Sequence, residues 1–200
     1  MKTKLIFLLI GLWIYVSPVV GQDVRLNVKE GTKMTVSGTS TLHDWVCTVN
    51  EVRGFVLVKT GLLSEEKIKK SDKVLEVNIT VTVKSIISER GSTMDGKTWK
   101  ALKSEEHPNI KFKLTSAKIK PLTDNTFLVD TKGNLIIAGI KREIEMRVEG
   151  KRVDASTMLF EGKQKINMKD YDMEPPSALF GTIETGEEVE IAFELIVGKE

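Results

Sequence analysis

Four residues in this chain have side chains suited to chemistry: His43, Asp44, Cys47 and His107. Imidazole, carboxylate and thiolate groups are metal ligands, and a cysteine beside a histidine can act as a nucleophile. The spacing argues against both uses, because the sequence has no His-x-His pair and no second cysteine. We therefore expect neither a metal site nor a catalytic site. A hydrolase or isomerase that uses His43 or His107 is the least favoured alternative.

The first 21 residues have the pattern of a secretory signal peptide. Lys2 and Lys4 precede an uncharged apolar run from Leu5 to Val16, and a short cleavage region that ends at Gly21 follows. Signal peptides typically have a positively charged start, a short apolar core and a cleavage region of this kind. We expect cleavage after Gly21, a mature domain at 22–200, and a periplasmic or secreted protein. An uncleaved anchor is disfavoured because the apolar run is short for a membrane span.

The charge balance argues against nucleic-acid binding, and the cysteine count excludes an intrachain disulfide. The chain has 30 basic and 28 acidic residues, and loss of Lys2 and Lys4 leaves 28 of each. This balance, with no basic cluster, does not fit nucleic-acid binding. A single cysteine cannot form an intrachain disulfide, so the mature domain depends on its hydrophobic core. A chain of this size buries about 70% of the surface that its unfolded form exposes, which suffices for one domain.

One mature segment has helical periodicity. Apolar residues recur at roughly helical spacing between Met94 and Glu106, with lysines and glutamates between them. Pro108 then ends the pattern, because proline cannot continue a helix and the residue before it favours extended backbone. We predict a short helix over 94–106 that leads directly into a strand. Asp95 is expected to cap the start of this helix by accepting backbone N–H groups.

The rest of the mature chain alternates apolar and polar residues with the period of β-strands. The clearest runs are 75–84, 127–137 and 189–197. Gly54 marks a turn or bulge, after which Phe55 and Leu57 are expected to continue the inward face. Strands joined by short turns, without βαβ spacing, predict an antiparallel sheet that closes into a barrel or a sandwich.

Three stretches, taken in their order along the chain, resemble the YceI-like family of exported lipid-binding proteins. They are Met94 to Phe112, which includes Asp95 and ends on Pro108-Asn109-Ile110-Lys111-Phe112, then Gly133 to Gly139, and the Gly54-Phe55 pair. The chain departs from the family pattern at Met94, where that pattern has arginine, and at Ile136, where it has threonine. The similarity of layout extends from about Met34 to Val197.

The resemblance implies a single antiparallel, lipocalin-like β-barrel of about eight strands with one short internal helix. It also implies a non-enzymatic carrier that sequesters a polyisoprenoid chain, such as an isoprenoid quinone, in an apolar interior. No covalent cofactor, nucleic acid or stable membrane insertion after signal cleavage is expected. The alternative is a secreted structural or interaction barrel with a filled core.

A pocket for a prenyl tail needs a long lining of aliphatic and aromatic groups, since each buried methylene contributes ~0.8 kcal/mol. The candidates for this lining are Val77, Ile79, Val81, Trp99, Ile110, Phe112, Leu114, Phe127, Val129, Leu135 and Ile137. Trp99 either forms part of the pocket mouth or plugs the barrel end. Small residues such as Gly133 and Ala138 either leave space inside or merely permit close packing.

Overall fold

The computed structural model describes residues 22–178 and 183–200, and the predicted signal peptide lies outside these ranges. Within them the chain forms twelve strands, one α-helix and three single turns of 3-10 helix. The strands are β1 (Asp23–Val28), β2 (Lys33–Ser40), β3 (Trp45–Val49), β4 (Val52–Lys59), β5 (Val74–Thr82), β6 (Ile86–Ser88), β7 (Asn109–Pro121), β8 (Thr126–Ile137), β9 (Ile140–Arg152), β10 (Thr157–Asn167), β11 (Ser177–Ala178) and β12 (Ile183–Gly198). The helix, α1, is Ser92–Ala101. No helix in the described ranges is long and apolar enough to cross a membrane.

Eight of the strands close into an antiparallel barrel. Their order is β1, β4, β5, β7, β8, β9, β10 and β12, and β12 returns to β1. The strands β2, β3 and β6 extend the sheet from the other part of β12, and the short β11 pairs near its start. The predicted antiparallel barrel of about eight strands with one short internal helix is therefore confirmed.

The neighbouring strands β5 and β7 show why these residues form a barrel wall. In each, β-branched or aromatic residues alternate with polar ones, which suits a sheet with one buried face. The register places Ile79 opposite Phe112 and Val81 opposite Ile110. Apolar side chains therefore meet across the strands on the inner face, where cross-strand pairs stabilise the sheet.

The bounds and cap of α1 differ from the prediction. The helix begins at Ser92 and ends at Ala101, rather than spanning 94–106. Lys103 has a φ of 52°, and the chain continues in hydrogen-bonded turns up to residue 107. Gly91 holds the N-cap position without a side-chain cap. Asp95 instead accepts a hydrogen bond of 2.7 Å from the backbone N–H of Ser88 in β6, so its carboxylate joins the helix to a strand.

The inward face of β4 is opposite to the predicted one. Val56 and Val58 are buried, whereas Phe55 and Leu57 have the other parity and face outward. The guanidinium of Arg25 lies 3.5 Å from the centre of the Phe55 ring, a cation–π contact. All four residues from 55 to 58 are apolar, so alternation could not distinguish the two faces.

The buried apolar residues form a first hydrophobic region at one end of the barrel, a second at the other end, and a smaller cluster of Cys47, Val49, Val81 and Ile86 from β3, β5 and β6. A plug segment, residues 60–73, supplies Leu62, Leu63 and Ile68 to the first region, where they are buried with Phe127. Arg152 holds this segment by donating to the main-chain oxygens of residues 66 and 124, at 3.0 Å each. This end of the barrel is therefore filled with side chains.

At the other end, α1 covers the barrel and is held by hydrogen bonds. Trp99 Nε1 donates to the Ile86 carbonyl at 3.0 Å, and Lys97 Nζ donates to the Ser177 carbonyl at 3.0 Å. Together with the bond from Ser88 to Asp95, these contacts connect the helix to β6 and to β11. The helix therefore has a fixed position over the second hydrophobic region.

Candidate functional site

A central apolar cavity lies between the two ends of the barrel. Its volume is about 140 Å³, and the free space among its lining side chains, including the part open to solvent, is about 980 Å³. The lining consists of Met34, Val56, Val74, Val77, Ile79, Val81, Ile110, Phe112, Leu114, Val129, Thr131, Leu135, Ile144, Met146, Val148, Phe160, Gln164, Ile191, Phe193 and Leu195. Thr131 and Gln164 are the only polar residues in this list. The cavity wall is therefore almost entirely hydrocarbon.

A second cavity of about 90 Å³ lies beneath α1. Its lining consists of Val36, Trp45, Cys47, Ile86, Ser88, Met94, Thr98, Ala101, Leu102, Ile110, Ile137, Ile166, Met168, Met173, Pro176, Thr185, Val189 and Ile191. Ile110 and Ile191 line both cavities. The two spaces are therefore neighbours, and together they form an elongated apolar path from the filled end of the barrel to α1.

The structure brings most of the predicted lining residues to these cavities. Val77, Ile79, Val81, Ile110, Phe112, Leu114, Val129 and Leu135 line the central cavity, and Ile137 lines the cavity beneath α1. Two predicted residues lie elsewhere. Phe127 is fully buried at the filled end, where its ring meets that of Phe160 edge-on at 6.1 Å. Trp99 borders neither cavity, and its bond to Ile86 gives it the role of an anchor for the helix.

Sequence reasoning missed the part of the lining that comes from the last three strands of the barrel. Ile144, Met146, Phe160, Ile191 and Phe193 belong to this group. The signal was clearest for Ile144 and Met146, which alternate with polar neighbours in the same way as Val77 and Ile79 do. Their inward direction could have been predicted from that period alone.

The small residues at the β8–β9 hairpin do not provide the free volume. A Cβ at Gly133 would collide with the ring of Phe112, so this glycine permits close packing. Ala138 and Gly139 have φ values of 47° and 83° and form the turn between the strands. Ala138 lines neither cavity.

Cys47 lies on the wall of the cavity beneath α1 and is 3% exposed. Burial raises the pKa of its thiol, while hydrogen bonds with Thr98 and Ser88 lower that pKa in part. A protonated thiol is a poor nucleophile and a poor metal ligand, since both roles need the thiolate. This position therefore favours a packing role for the cysteine.

The two histidines lie away from both cavities. His43 is exposed, where its ring contacts the Arg90 guanidinium and lies 3.5 Å from the Ser40 hydroxyl. His107 packs beside Gly139 at the β8–β9 turn. Among the described residues, no group of three or more His, Cys, Asp or Glu side chains could hold a metal ion.

Several solved structures share this fold. BcnA of Burkholderia cenocepacia has a TM-score of 0.61 at 16% identity, with 82% of this chain and 95% of that protein covered. A polyisoprenoid binding domain from Saccharophagus degradans has a TM-score of 0.65 at 12% identity, with coverages of 88% and 98%. The YCEI protein of Campylobacter jejuni has a TM-score of 0.53 at 13% identity, with coverages of 76% and 83%. At these identities the similarity establishes the fold.

Sequence comparison gives the family. No curated protein sequence matches the chain significantly. The family model described as the YceI-like domain matches residues 19–197, which include nearly the whole barrel. The chain therefore belongs to the YceI-like domain family.

Proposed function

We propose that this protein is a non-enzymatic binding protein that takes the tail of an isoprenoid lipid into its barrel. The observation that carries this proposal is the apolar path made by the two cavities that share Ile110 and Ile191. A prenyl tail is long and purely apolar, so it gains ~0.8 kcal/mol for each methylene that leaves water. The solved Saccharophagus degradans protein of the same fold is described as a polyisoprenoid binding domain, which supports this ligand class.

The cavity must expand when a long tail enters. Its volume of about 140 Å³ is small beside that of pockets that hold whole ligands, which span about 300–1,000 Å³. Met34 and Met146 are part of the wall, and unbranched methionine side chains change rotamer readily. We therefore assign the expansion to rotamer changes in the wall, with the strands of the barrel retained.

The proposed carrier acts outside the cytoplasm, in the periplasm or as a secreted protein. The signal pattern of residues 1–21 supports this location. Apolar burial alone supplies the driving force for tail uptake, so the proposal involves no catalytic residue and no covalent cofactor.

The test is organic extraction and mass spectrometry of protein that an exporting bacterial host has produced and that was purified without detergent. We expect a prenyl lipid in near-stoichiometric amount, or stoichiometric uptake of ubiquinone added from vesicles. Absence of any extracted lipid, together with no uptake of added ubiquinone by the folded protein, would reject the proposal.

A pair of variants in β5 links the bound lipid to the cavity. Ile79 faces the central cavity, and Thr80, the next residue, faces outward. Ile79→Trp should reduce the lipid stoichiometry several-fold because the indole fills the space that the tail needs. Thr80→Trp is the matched control and should retain the lipid. Equal lipid content in the two variants, both shown to be folded by circular dichroism, would place the ligand elsewhere.

A further inference from the structure

The barrel wall has a gap between β9 and β10. Their pairing runs from Arg152 opposite Met158 to Val148 opposite Gly162, and it ends there. The strand β9 continues along β8 as far as Ile140, and β10 continues along β12 as far as residue 167. Two described segments, 140–147 and 163–167, therefore belong to the wall without pairing to each other. Barrels usually avoid such open edges by complete closure.

A cleft of about 470 Å³ lies at this gap. Ile144 of β9 and Gln164 of β10 line both the cleft and the central cavity. The outer cleft and the hydrocarbon interior are therefore neighbours that share these two side chains. A second break lies between β5 and β7, whose pairing stops at Asn78 opposite Lys113. There, however, Val74 and Leu114 are buried in the first hydrophobic region together with Ile68 of the plug segment.

The described hydrogen bonds do not tie the two edges together at the centre of the gap. Gln164 Nε2 donates to the carbonyl of Lys165, which is its own neighbour in β10. The next connection lies at the far end, where Arg142 Nε donates to the Asp170 carbonyl at 2.8 Å. The gap is thus bounded by the Val148–Gly162 pair and by this arginine. Between these bounds, rotation of Ile144 and Gln164 can open the wall without breaking a sheet hydrogen bond.

The two ends of the barrel are less suitable than the gap as entrances for a ligand. One is filled by Leu62, Leu63 and Ile68. The other is covered by α1, which three hydrogen bonds from Lys97, from Trp99 and to Asp95 hold in place. Passage at either end requires displacement of a packed segment, whereas passage through the gap requires only side-chain movement.

The charges around the cleft favour an uncharged head group. The lining has three carboxylates, from Glu143, Glu145 and Asp170, against the two cations Arg142 and Lys165. Lys165 pairs with Glu188 at 2.7 Å, and Arg142 bonds to a carbonyl. Proteins bind phosphate through charge-assisted hydrogen bonds from cations, and the excess of carboxylates in the lining disfavours such an anion. Uncharged donors and acceptors, including the amide of Gln164, remain for a hydroxyl or a carbonyl.

We propose that the lipid tail enters through the gap between β9 and β10, and that the uncharged polar head of the lipid stays in the cleft outside. This inference rests on the proposed function for the presence of the tail. The lipid class is then a prenyl alcohol or quinone rather than a prenyl phosphate.

The test closes the gap reversibly. Glu145 and Lys165 are exposed residues on the two unpaired edges, and Glu145→Cys with Lys165→Cys permits a disulfide or a short bismaleimide bridge across the gap. The matched control is Glu149→Cys with Glu161→Cys, since these exposed residues are directly opposite each other in the paired part of the same strands. The native Cys47 stays because it is buried.

The measured quantity is the rate at which each protein takes up a short-tailed ubiquinone from phosphatidylcholine vesicles, followed by quenching of tryptophan fluorescence. The bridge at 145 and 165 should slow uptake by about tenfold, within the range over which association rates vary among related variants. Reduction of the disulfide should restore the rate, and the control bridge should have no effect. Undiminished uptake with the bridge verified by mass would reject the entrance. If the unbridged protein takes up no ubiquinone, the proposed function itself fails.

A separate experiment tests the uncharged head group by comparing the affinities of two lipids. A prenyl alcohol should bind about tenfold more tightly than the prenyl monophosphate of equal tail length, which corresponds to about 1.4 kcal/mol. Equal or reversed affinities would reject the uncharged head while leaving the entrance to the bridging experiment.

Discussion

Cys47 illustrates how burial decides what a reactive residue type does. It is the single cysteine of the chain, and it lies on a cavity wall rather than at the surface. Burial raises the pKa of its thiol, so the protonated form persists to a higher pH than it does in an unfolded chain. A buried, protonated thiol favours a packing role for Cys47, and its reactivity should depend on access to the cavity beneath α1.

Alkylation of Cys47 should accordingly be slow at neutral pH. The thiolate is the reactive species, so the rate with iodoacetamide should rise only above the pH at which the denatured protein reacts. A bound lipid should slow it further by filling the cavity beneath α1. The measurement is the mass of modified protein against time at several pH values. A folded protein that follows the pH profile of the denatured control would contradict this expectation.

Tyr171 presents a different residue-scale problem. Its side chain is 2% exposed, and its hydroxyl has no hydrogen-bond partner among the described residues. An unsatisfied buried polar group costs about 1–3 kcal/mol. Tyr171→Phe removes that group and keeps the ring, so the free energy of unfolding should rise by about 1 kcal/mol.

Urea denaturation measures this change. Tyr171→Leu serves as the control that loses the ring as well, and it should be destabilised by the loss of packing. A lower stability of Tyr171→Phe would show that the hydroxyl contributes a favourable hydrogen bond in the folded protein.

Alternation predicts the direction of a side chain but not its depth along the barrel. Phe127 and Val129 have the same parity in β8, yet Val129 lines the central cavity and Phe127 packs against Phe160 at the filled end. The difference arises because the plug segment folds over one end. Nothing in the local pattern of β8 contains that information.

At the scale of elements, α1 depends on a hydrogen bond that its sequence suggested only in part. Asp95 was expected to accept backbone N–H groups, and it does so, but its donor is Ser88 of β6 instead of the helix. Asp95 is 6% exposed, so this bond lies in a buried environment. It fixes the beginning of the helix to the sheet.

Asp95→Ala should therefore lower the free energy of unfolding by roughly 2 kcal/mol, since bonds to charged groups contribute about 1.5–3 kcal/mol. Asp95→Asn retains an Oδ1 acceptor and should lose less than half of that. Guanidinium denaturation compares the two variants with the native protein. Equal losses would mean that the charge, rather than the hydrogen bond, holds the helix.

The elements themselves were largely predictable where one face of a strand is apolar. The runs 75–84 and 127–137 correspond closely to β5 and β8. Prediction failed where the pattern was ambiguous, as at the four apolar residues 55–58 of β4. It also could not reveal the gap beside β9, because alternation is the same whether or not a strand finds its partner.

At the scale of the whole molecule, the number of strands and their short connections predicted closure, and the structure has a closed barrel. The presence of space inside could not be predicted, because an open and a filled interior need the same inward-facing residue types. Ile110 and Ile191 line both cavities. This depends on how many strands pack together, which no local pattern shows.

The final strand of the barrel has a consequence for how the protein folds. The strand β12 pairs with β10 along one edge and with β2 and β1 along the other, and its last pairs join Asn27 to Gly198 and Val28 to Val197. Until β12 is in place, β1 has β4 as its only strand partner in the described sheet. Contacts between residues so distant in sequence make folding slow, typically milliseconds to seconds for β proteins of this kind. Closure of the ring therefore requires two parts of the chain that are far apart in sequence, β1 and the end of β12, to meet.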